Sequence, residues 1–448
     1  MGRRGSFVLR IEDTDVSRFS PESEAGVITD LKWLGMQWEE GPDCGGDYGP
    51  YRQSERRDLY RDFALKLLDS GKAYRCYCTT EELEQRKHGR LSKGQTAHYD
   101  GYCLSLSKDK LVEFEKESRS PSIRFKTPDR DFVLNDIVRG EVRFPREMVG
   151  DFIILRSDGM PTYNFSCVVD DHLMKITHVI RGEEHLSNTL RQLILYETFN
   201  VEPPRFAHLS ILLNRARAKL SKRDGAVSIL EFRKAGYVPE AMVNYLALLG
   251  WSPGGDREIM SKEEMIRDFS LEKAAKSAAI FDIEKLDWMN CHYIKTLDLG
   301  RVLNLSIPFF AETSLKDTDE ETLRKILAAT RRGLVKLSDL QYHVSIFEGE
   351  IPRYEPDALG LLKEASSTNV ISNAIKLLES SVVSSQGDAK SWLAAVCLET
   401  GKKGKELFIP IRIALTGKIH GPELPEVIEI LGKEKCLRRL KHAIGGNL

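Results

Sequence analysis

The chain has 448 residues, of which 41% are hydrophobic and 30% are charged, and its formal net charge at pH 7 is -1. This composition is ordinary for a globular protein of about two to four domains. It contains no run approaching the roughly 20 apolar residues that a membrane-spanning helix needs. The near-neutral charge excludes a bulk electrostatic attraction to nucleic acid, so any RNA binding must come from local basic patches.

The first 75 residues predict a strand and then a helix, twice over. Phe7–Ile11 form an apolar run typical of a buried strand, and a cluster of carboxylates follows at residues 12–15. Pro21, preceded by a serine, predicts the start of a helix that ends at Gly35. Ser54 is predicted to cap a second helix.

Residues 76–150 are polar and rich in turns, and they read as an insertion with short strands at Ser122–Phe125 and Glu141–Phe144. Apolar strands return in residues 151–213, as "DFIIL", "YNFSCVV", "THVI" and "HLSILL", with a helix at about Ser187–Phe199 between the last two. Strands alternating with helices on both sides of an insertion predict one split, parallel α/β sheet.

From about residue 215 the pattern becomes mostly helical. Helical spacing of apolar residues predicts helices at Pro239–Leu249, Glu320–Leu337, Ala358–Glu379 and Pro425–Ile444.

A basic loop, "LNRARAKLSKRDG" at 213–225, follows the last strand of the sheet. A solvated surface loop is the ordinary interpretation of such a run. The alternative is phosphate chemistry, because ammonium groups such as those of Lys219 and Lys222 stabilise the charge that develops on leaving pyrophosphate.

Two further candidates lie at strand ends, where ligands bind in open α/β sheets. Glu12 of "IEDTD" is placed to receive an ammonium group, although the segment is equally typical of an acidic capping turn. Arg181 of "HVIRGEEHLSNT" is placed to bind a carboxylate bidentately, although it could instead pair with Glu183 or Glu184. The segment "PTYNFSCVVDD" (161–171) by itself indicates only a strand with polar ends.

Together these segments resemble bacterial-type glutamyl-tRNA synthetase, a class I aminoacyl-tRNA synthetase. The resemblance runs in order from residue 6 to about 295 and weakly through 409–424, and KLSKR corresponds to the Lys-Met-Ser-Lys-Ser signature of the class. The segments that carry it are "FVLRIEDTD", "GPYRQSER", "PTYNFSCVVDD", "THVIRGEEHLSNTLRQ", "FAHLSILLN", "KLSKRDGAVSI" and "IPIRIALTGKIHGPEL".

The resemblance implies roles for individual residues. Glu12 would hold the amino group of the substrate, and Arg181 would pair with its side-chain carboxylate. The strand that lines the glutamate pocket would comprise Tyr163, Asn164, Phe165, Ser166 and Cys167. The ATP site would comprise Glu184 and the signature loop of Lys219, Leu220, Ser221, Lys222 and Arg223, with Lys219 and Lys222 as the catalytic lysines.

The resemblance also implies the domain order and the partners. A Rossmann-type catalytic domain (1–75 and 151–214) would hold an inserted acceptor-stem-binding domain (76–150). The signature loop and a stem-contact domain (215–295) and an all-helical anticodon-binding domain (296–448) would follow. The implied substrates are L-glutamate, ATP with Mg²⁺, and tRNA(Glu), possibly with tRNA(Gln). A monomer in a bacterial cytoplasm is expected, with an organellar matrix as the alternative.

The family begins with a strand and a helix of about 40 residues that carry a His-Ile-Gly-His-like signature, and this segment does not precede Phe7 here. We therefore expect the 448-residue chain to be a fragment that is poorly stable and nearly inactive alone. A non-catalytic tRNA-binding remnant is the competing hypothesis. A generic nucleotidyltransferase, argued from fold alone, is a third.

Cys76, Cys78 and Cys103 resemble the zinc site of some family members, but Ser105 stands where those carry a histidine. Structural zinc requires four ligands. His98 is a possible replacement at awkward spacing, and three reduced thiols are the expected state.

Two basic helices are predicted to face RNA phosphates, at 324–336 ("RKILAATRRGLVK") and at 433–442 ("KEKCLRRLKH"). Solvated helix faces are the ordinary alternative for such runs. The predicted helical C-terminal half also argues against archaeal-type relatives and glutaminyl-tRNA synthetases, which have β-barrels there.

Overall fold

The computed structural model describes residues 5–15, 19–221 and 228–445. The chain forms two compact units, the first comprising Met1–Ser221 with Leu246–Phe281 and the second Lys222–Tyr245 with Asp282–Leu448. Every helix within the described residues is too short or too polar to cross a membrane.

The first unit mixes strands and helices. Its helices are α1 (Pro21–Trp33), α2 (Arg57–Asp69), α3 (Thr80–Leu91), α4 (Lys108–Lys116), α5 (Tyr163–Leu173), α6 (Leu186–Thr198) and, later in the chain, α9 (Lys262–Asp268). Its strands are β1 (Ala73–Cys76), β2 (Ser122–Phe125), β3 (Phe132–Asp136), β4 (Gly140–Phe144), β5 (Phe152–Leu155), β6 (His178–Gly182), β7 (Arg205–Leu209), β8 (Leu212–Leu213) and β9 (Ala279–Ile280).

The second unit is helical within its described residues. It contains α7 (Ile229–Lys234), α10 (Ile283–Thr296), α11 (Leu299–Phe310), α12 (Glu320–Thr330), α13 (Leu340–Val344), α14 (Pro356–Leu362), α15 (Ala365–Ser380), α16 (Gln386–Thr400), α17 (Lys405–Thr416) and α18 (Leu424–Ile444). Helix α8 (Pro239–Gly250) crosses the boundary between the units. The predicted helix over 358–379 is divided between α14 and α15, and the one over 320–337 ends at Thr330.

Parallel pairing places the ends of β6 and β7 at one edge of the first unit. In that pair Arg181 lies opposite His208, and β8 pairs with β9 in the same sense. β5, expected in the parallel sheet, instead pairs antiparallel with β2 of the insertion, which also pairs with β1. Hydrogen bonding therefore ties the insertion to the strand that follows it.

Phe7–Ile11 is extended, as expected, but it forms isolated parallel bridges, from Val8 to Glu40 and from Ile11 to Arg52, rather than a continuous strand. Ser20 caps α1, as predicted, by accepting a hydrogen bond from the Ser23 N–H. The prediction that Ser54 caps a helix is wrong. Its N–H and its hydroxyl both donate to the Asp13 carboxylate, at 2.8 and 2.5 Å.

The largest correction concerns residues 163–169, which were predicted as a strand and form the first two turns of α5. Phe165, Val168 and Val169 are fully buried in the core of the first unit. A short apolar run that is buried on all sides has no periodicity by which to distinguish strand from helix. Only the packing of α5 against α2 and α6 settles the matter.

Candidate functional site

Glu12 directly follows the extended segment Phe7–Ile11, and, within the described residues, only one of its two carboxylate oxygens, Oε1, accepts the hydrogen bonds that hold it. Its Oε1 accepts hydrogen bonds from Arg10 Nη2 at 3.2 Å and from the Cys167 thiol at 3.3 Å. About 37% of its side chain remains exposed. The result is an oriented carboxylate with room to receive a cationic group.

Arg10 connects Glu12 to the core. Its Nη1 donates to Asp171 at 2.7 Å, and the other oxygen of Asp171 accepts from the Tyr196 hydroxyl at 2.9 Å. Burial alone disfavours the charge, but the surrounding carboxylates, Asp171 foremost, raise the pKa of Arg10 well above its usual value. Arg10 therefore stays cationic and fixes the orientation of Glu12.

Asp170 lies at the centre of a second, fully buried network. It accepts hydrogen bonds from Arg56 Nε at 2.7 Å, from Gln53 at 2.9 Å and from the Tyr60 hydroxyl at 2.8 Å. The sequence analysis gave none of these residues a role. The only signal was a pair of adjacent acidic residues at the end of an apolar run, which indicated no more than the polar end of a strand.

The helical form of 163–173 divides the predicted pocket residues. Tyr163 and Cys167 are four residues apart and share the face towards Glu12. Burial, and then the nearby Cys167 and Glu12, raise the pKa of Tyr163, while Arg181 acts in the opposite direction. All three groups therefore lie near the Tyr163 phenol.

The other three predicted lining residues lie elsewhere on α5. Phe165 and Ser166 are fully buried, Phe165 in the core and Ser166 hydrogen bonded to Gln53. Asn164 contacts Asn188 at 3.4 Å. Because a helix does not expose successive side chains to one pocket, these residues support the site from behind rather than line it.

Arg181 makes its hydrogen bonds to neutral groups and not to the adjacent glutamates. Its Nη2 donates to Thr189 Oγ1 and Gln192 Oε1, both at 2.7 Å, and its Nε donates to His208 at 3.2 Å. Glu183 pairs with Arg139 instead. The guanidinium is therefore oriented without being neutralised.

Glu184 and Lys219, both predicted for the ATP site, lie together at the end of β6 and on the loop after β8. Lys219 Nζ lies 3.8 Å from Glu184 Oε1, and both side chains are well exposed. Leu220 N–H donates to Leu212 O and so holds the loop against β8. Ser221 ends this described segment, whereas Lys222 and Arg223 lie outside the described residues.

The three thiols of the insertion meet, as the resemblance implied. The sulfurs of Cys76, Cys78 and Cys103 lie within 4.8 Å of one another. The Tyr99 phenol oxygen lies 3.4 Å from the Cys78 sulfur and 3.7 Å from the Cys76 sulfur. Hydrogen bonds from Cys103 and Cys78 lower the pKa of Cys76.

His98, the replacement ligand considered from sequence, lies outside this cluster, since its Nε2 contacts Glu147 O at 2.8 Å. The Tyr99 phenol, and not His98, contacts the sulfurs of Cys76 and Cys78. The guanidinium of Arg124, which is largely buried, lies 3.9 Å from the centre of the Tyr99 ring and favours negative charge on the cluster.

Within the predicted phosphate-facing run at 433–442, the structure excludes one cation, Arg439, from the surface, while Arg438 and Lys441 stay about half exposed. Arg439 is fully buried, and its neighbours Lys435, Arg438 and Lys441 contact backbone carbonyls or glutamates of the same unit. At 324–336, partners within the second unit similarly occupy three of the cations: Arg324 pairs with Glu320, Lys325 with Glu429, and Arg331 donates to Leu297 O. Charge runs in sequence did not reveal which cations face solvent.

A cavity of about 450 Å³ opens elsewhere in the second unit, among α16, α17 and the start of α18. Its lining combines the cations Lys390, Lys403 and Arg412 with the aromatic ring of Phe408. Cations beside an exposed ring suit an unstacked nucleobase and its phosphate.

Comparison with known proteins agrees with this geometry. Residues 2–288 match the family described as "tRNA synthetases class I (E and Q), catalytic domain", and residues 301–444 match "Anticodon binding domain". A glutamate–tRNA ligase of Carboxydothermus hydrogenoformans is 47% identical over 97% of this chain and 92% of its own length. That of Bacillus subtilis is 42% identical over 98% and 92%.

Solved structures give the same result for the fold. A glutamate tRNA ligase from Elizabethkingia meningosepticum, in complex with its amino acid, superposes with a TM-score of 0.86 at 33% identity. The match covers 99% of this chain and 93% of the other.

Proposed function

This chain belongs to the glutamate–tRNA ligase family of class I tRNA synthetases, and from that premise we propose that it activates L-glutamate with ATP and transfers the glutamyl group to tRNA(Glu). One observation carries the proposal for this site: the Glu12 carboxylate is held by the Cys167 thiol on the Tyr163 face of α5, and the Arg181 guanidinium is held by the neutral side chains of Thr189 and Gln192. A carboxylate and an unneutralised guanidinium near one phenol suit a ligand that carries both an ammonium group and a second carboxylate.

In the proposed site, Arg181 binds the side-chain carboxylate of glutamate and Glu12 binds its ammonium group. Tyr163 and Cys167 provide the surface between them, with the contacts of Cys167 to Glu12 already in place. Phe165, Ser166 and Asn164 hold α5 in position from behind. Positioning and electrostatics then supply most of the rate, because no covalent enzyme intermediate is needed.

In the activation step, the α-carboxylate of glutamate attacks the α-phosphorus of ATP and the bond to the β-phosphate oxygen breaks. Glutamyl-adenylate forms and Mg²⁺-bound pyrophosphate leaves. Lys219 and Lys222 would stabilise the leaving charge, with Leu220, Ser221 and Arg223 forming the rest of the loop. Lys219 Nζ lies 3.8 Å from Oε1 of Glu184, the other described charged residue of the proposed ATP site, which supports this assignment.

We also propose that the insertion holds a structural Zn²⁺ between Cys76, Cys78, Cys103 and the phenolate of Tyr99. Three sulfurs and one oxygen make the four-donor set that tetrahedral zinc requires. Zinc would tie β1 to the loop before α4. The charge of Arg124 would offset part of the negative charge of such a site.

For RNA, the cavity of the second unit is the proposed binding site for an anticodon base, and the insertion (76–150) the proposed acceptor-stem surface. The proposed partner is tRNA(Glu), with tRNA(Gln) as a possible second substrate, and a monomer is the proposed active form. A bacterial cytoplasm is the proposed location, with an organellar matrix as the alternative.

Glutamate-dependent exchange of pyrophosphate into ATP, measured with and without tRNA, tests the activity. We expect exchange that requires glutamate and tRNA, and the same assay on a chain extended by the family's first strand and helix tests the expectation that the 448 residues alone are nearly inactive. Arg181→Lys should raise the KM for glutamate roughly 30-fold, because an ammonium cannot reproduce bidentate binding. Arg191→Lys, a conservative change on the neighbouring helix α6, should leave that KM unchanged.

The competing hypothesis of a tRNA-binding remnant predicts a different result in the exchange assay. Such a protein would bind tRNA without any glutamate-dependent exchange. Tight tRNA binding with no exchange, both in this chain and in one extended by the family's first strand and helix, would replace the proposed function with that alternative, provided that the Bacillus subtilis relative is active under the same conditions.

A further inference from the structure

We propose that His208, held by Asp136, is a positioning residue that orients Arg181 towards the side-chain carboxylate of the amino acid. The inference rests on the proposed function, in which Arg181 binds that carboxylate. His208 and Asp136 lie on β7 and β3, and both are almost completely buried. Neither carried a role in the sequence analysis, and neither is placed to touch the substrate.

The hydrogen bonds determine which ring nitrogen of His208 carries the proton. Arg181 Nε lies 3.2 Å from His208 Nε2, and a guanidinium nitrogen donates but never accepts. His208 Nε2 must therefore present a lone pair, and the proton must lie on Nδ1. Nδ1 points at the Asp136 carboxylate, 2.6 Å away, which accepts that proton's hydrogen bond.

Asp136 is itself held as an anion. Burial works against its charge, but hydrogen bonds from the backbone N–H of Arg139, and from His208, keep the pKa of Asp136 below its usual value. Its Oδ1 accepts from the N–H groups of Val138 and Arg139, at 2.9 and 2.8 Å. Oδ2 faces the His208 ring and also accepts from the His208 backbone N–H at 3.1 Å.

His208 stays neutral for the same structural reason. Burial lowers the pKa of His208, and the adjacent charge of Arg181 lowers it further, against the opposing effect of Asp136. A protonated ring would carry a hydrogen on Nε2, and this N–H would face the N–H of Arg181 Nε. The neutral Nδ1–H form is thus the one that fits Asp136 and Arg181, and it lets the Thr189 hydroxyl, 2.9 Å from Nε2, donate to the same lone pair.

The consequence is a guanidinium fixed along one edge. His208 accepts the hydrogen bond from Nε, while Thr189 and Gln192 accept the two hydrogen bonds from Nη2. The remaining amino group, Nη1, donates to none of these three partners. Neutral acceptors fix the plane of the Arg181 guanidinium, so its full charge stays available for the side-chain carboxylate of the substrate. A substrate side chain that carries an uncharged amide would bind this charge more weakly.

Two substitutions at His208 separate an acceptor role from simple packing. The amide of glutamine reaches the position of Nε2, so His208→Gln keeps an acceptor for Arg181. The amide of asparagine reaches only the position of Nδ1, so His208→Asn keeps the contact with Asp136 and loses the one with Arg181. We expect the KM for glutamate to rise about tenfold in His208→Asn and less than threefold in His208→Gln, with the KM for ATP unchanged in both.

Asp136→Asn provides an independent test through the tautomer. The N–H groups of Val138 and Arg139 will hold the amide oxygen at the position of Oδ1, which turns the amide nitrogen towards His208. Because the amide nitrogen is a donor, Nδ1 of His208 must then accept and the ring proton must move to Nε2. There it faces the N–H of Arg181 Nε and removes that hydrogen bond. We expect a rise in the KM for glutamate similar to that of His208→Asn, whereas Asp151→Asn, a matched change directly before β5, should not alter it.

The tautomer is also observable without any activity. In protein carrying ¹⁵N-labelled histidine, the signals absent from His208→Gln belong to His208, and they should show a protonated Nδ1 and an unprotonated Nε2 at pH 7.

An Nε2–H ring, or equal glutamate KM values in wild type and His208→Asn, would overturn the inference while leaving the proposed function intact. Parallel rises in the KM values for glutamate and ATP would also overturn it, by showing a general structural defect. A wild-type chain that shows the Nδ1–H ring but no exchange would instead overturn the proposed function, and the assignment of a substrate to Arg181 with it.

Discussion

Each unit of the molecule buries an arginine, and the two arginines are satisfied in different ways. In the first unit, Arg56 forms an ion pair with Asp170, a carboxylate that also lies 3.8 Å from Arg10. In the second unit, Arg439 donates to backbone carbonyl groups only, those of Ile346, Glu348, Gly349, Glu350 and Leu415.

The difference shows two uses of a buried cation. Arg56 belongs to a charged network that leads through Arg10 to Glu12, so its charge helps to set the geometry of the site. Arg439 instead binds the turn at 346–350 and the end of α17 together. Burial lowers the pKa of Arg439 to about 10, so it is still charged at pH 7. A basic residue in the sequence thus indicates neither catalysis nor RNA contact by itself.

The largest effect is expected from Arg56→Met, which removes one partner of a buried ion pair. Leaving the buried Asp170 carboxylate with only the more distant charge of Arg10, 3.8 Å away, should cost about 3–5 kcal/mol of unfolding free energy. Urea denaturation of the first unit measures it. Arg57→Met, at the adjacent exposed position, should change that free energy by about 0.5 kcal/mol or less. Equal losses in the two variants would show that Asp170 is not the critical partner.

Arg439→Met should come next, at about 2–3 kcal/mol, because it leaves carbonyl groups without donors but no charge without a partner. The loss should appear in the unfolding of the second unit. Arg438→Met, whose arginine is half exposed and pairs with Glu350, should cost about 1 kcal/mol or less. A cost for Arg439→Met larger than for Arg56→Met would reverse the comparison.

The three-thiol cluster of the insertion adds a third case to the comparison, in which a bound Zn²⁺ and not a side chain or a carbonyl would be the partner of the polar groups. At free zinc 100-fold above its Kd, binding should add about 2.7 kcal/mol to the stability of the folded chain. Metal analysis of the purified chain should give one zinc, and Cys103→Ser should lose it. Cys44→Ser, which removes an exposed thiol, is the control. A metal-free wild type whose unfolding is unchanged by added zinc would establish three reduced thiols instead.

The smallest effect on stability is expected at the exposed pair of Lys219 and Glu184. Lys219→Gln should change the unfolding free energy by about 1 kcal/mol or less, since exposed ion pairs contribute little. It should nevertheless slow pyrophosphate exchange at least tenfold, because Lys219 acts on charge in the transition state. Lys316→Gln, far along the chain in the second unit, should affect neither quantity. Unchanged exchange in Lys219→Gln would remove this lysine from the site.

Much of the site was predictable because its chemistry depends on local order in the chain. Glu12 follows an extended apolar segment, Arg181 lies near the end of β6 and Lys219 follows β8, so the pattern of apolar runs could predict where these three residues lie in the chain. The supporting residues could not be found in this way. Asp136 lies 72 residues from His208, and Arg56 lies 114 residues from Asp170, so no spacing in the sequence connects them.

The sequence by itself determined the order of the elements, the α/β character of the first unit, the helical character of the second and the family. These follow from hydrophobic periodicity and from motifs, which are local properties. Only the tertiary structure decided that residues 163–169 are helical, that Tyr99 rather than His98 joins the three thiols, and that Arg439 faces inwards. Each of these depends on which distant groups meet a side chain, and burial makes the choice because an unpaired polar group in the interior is costly.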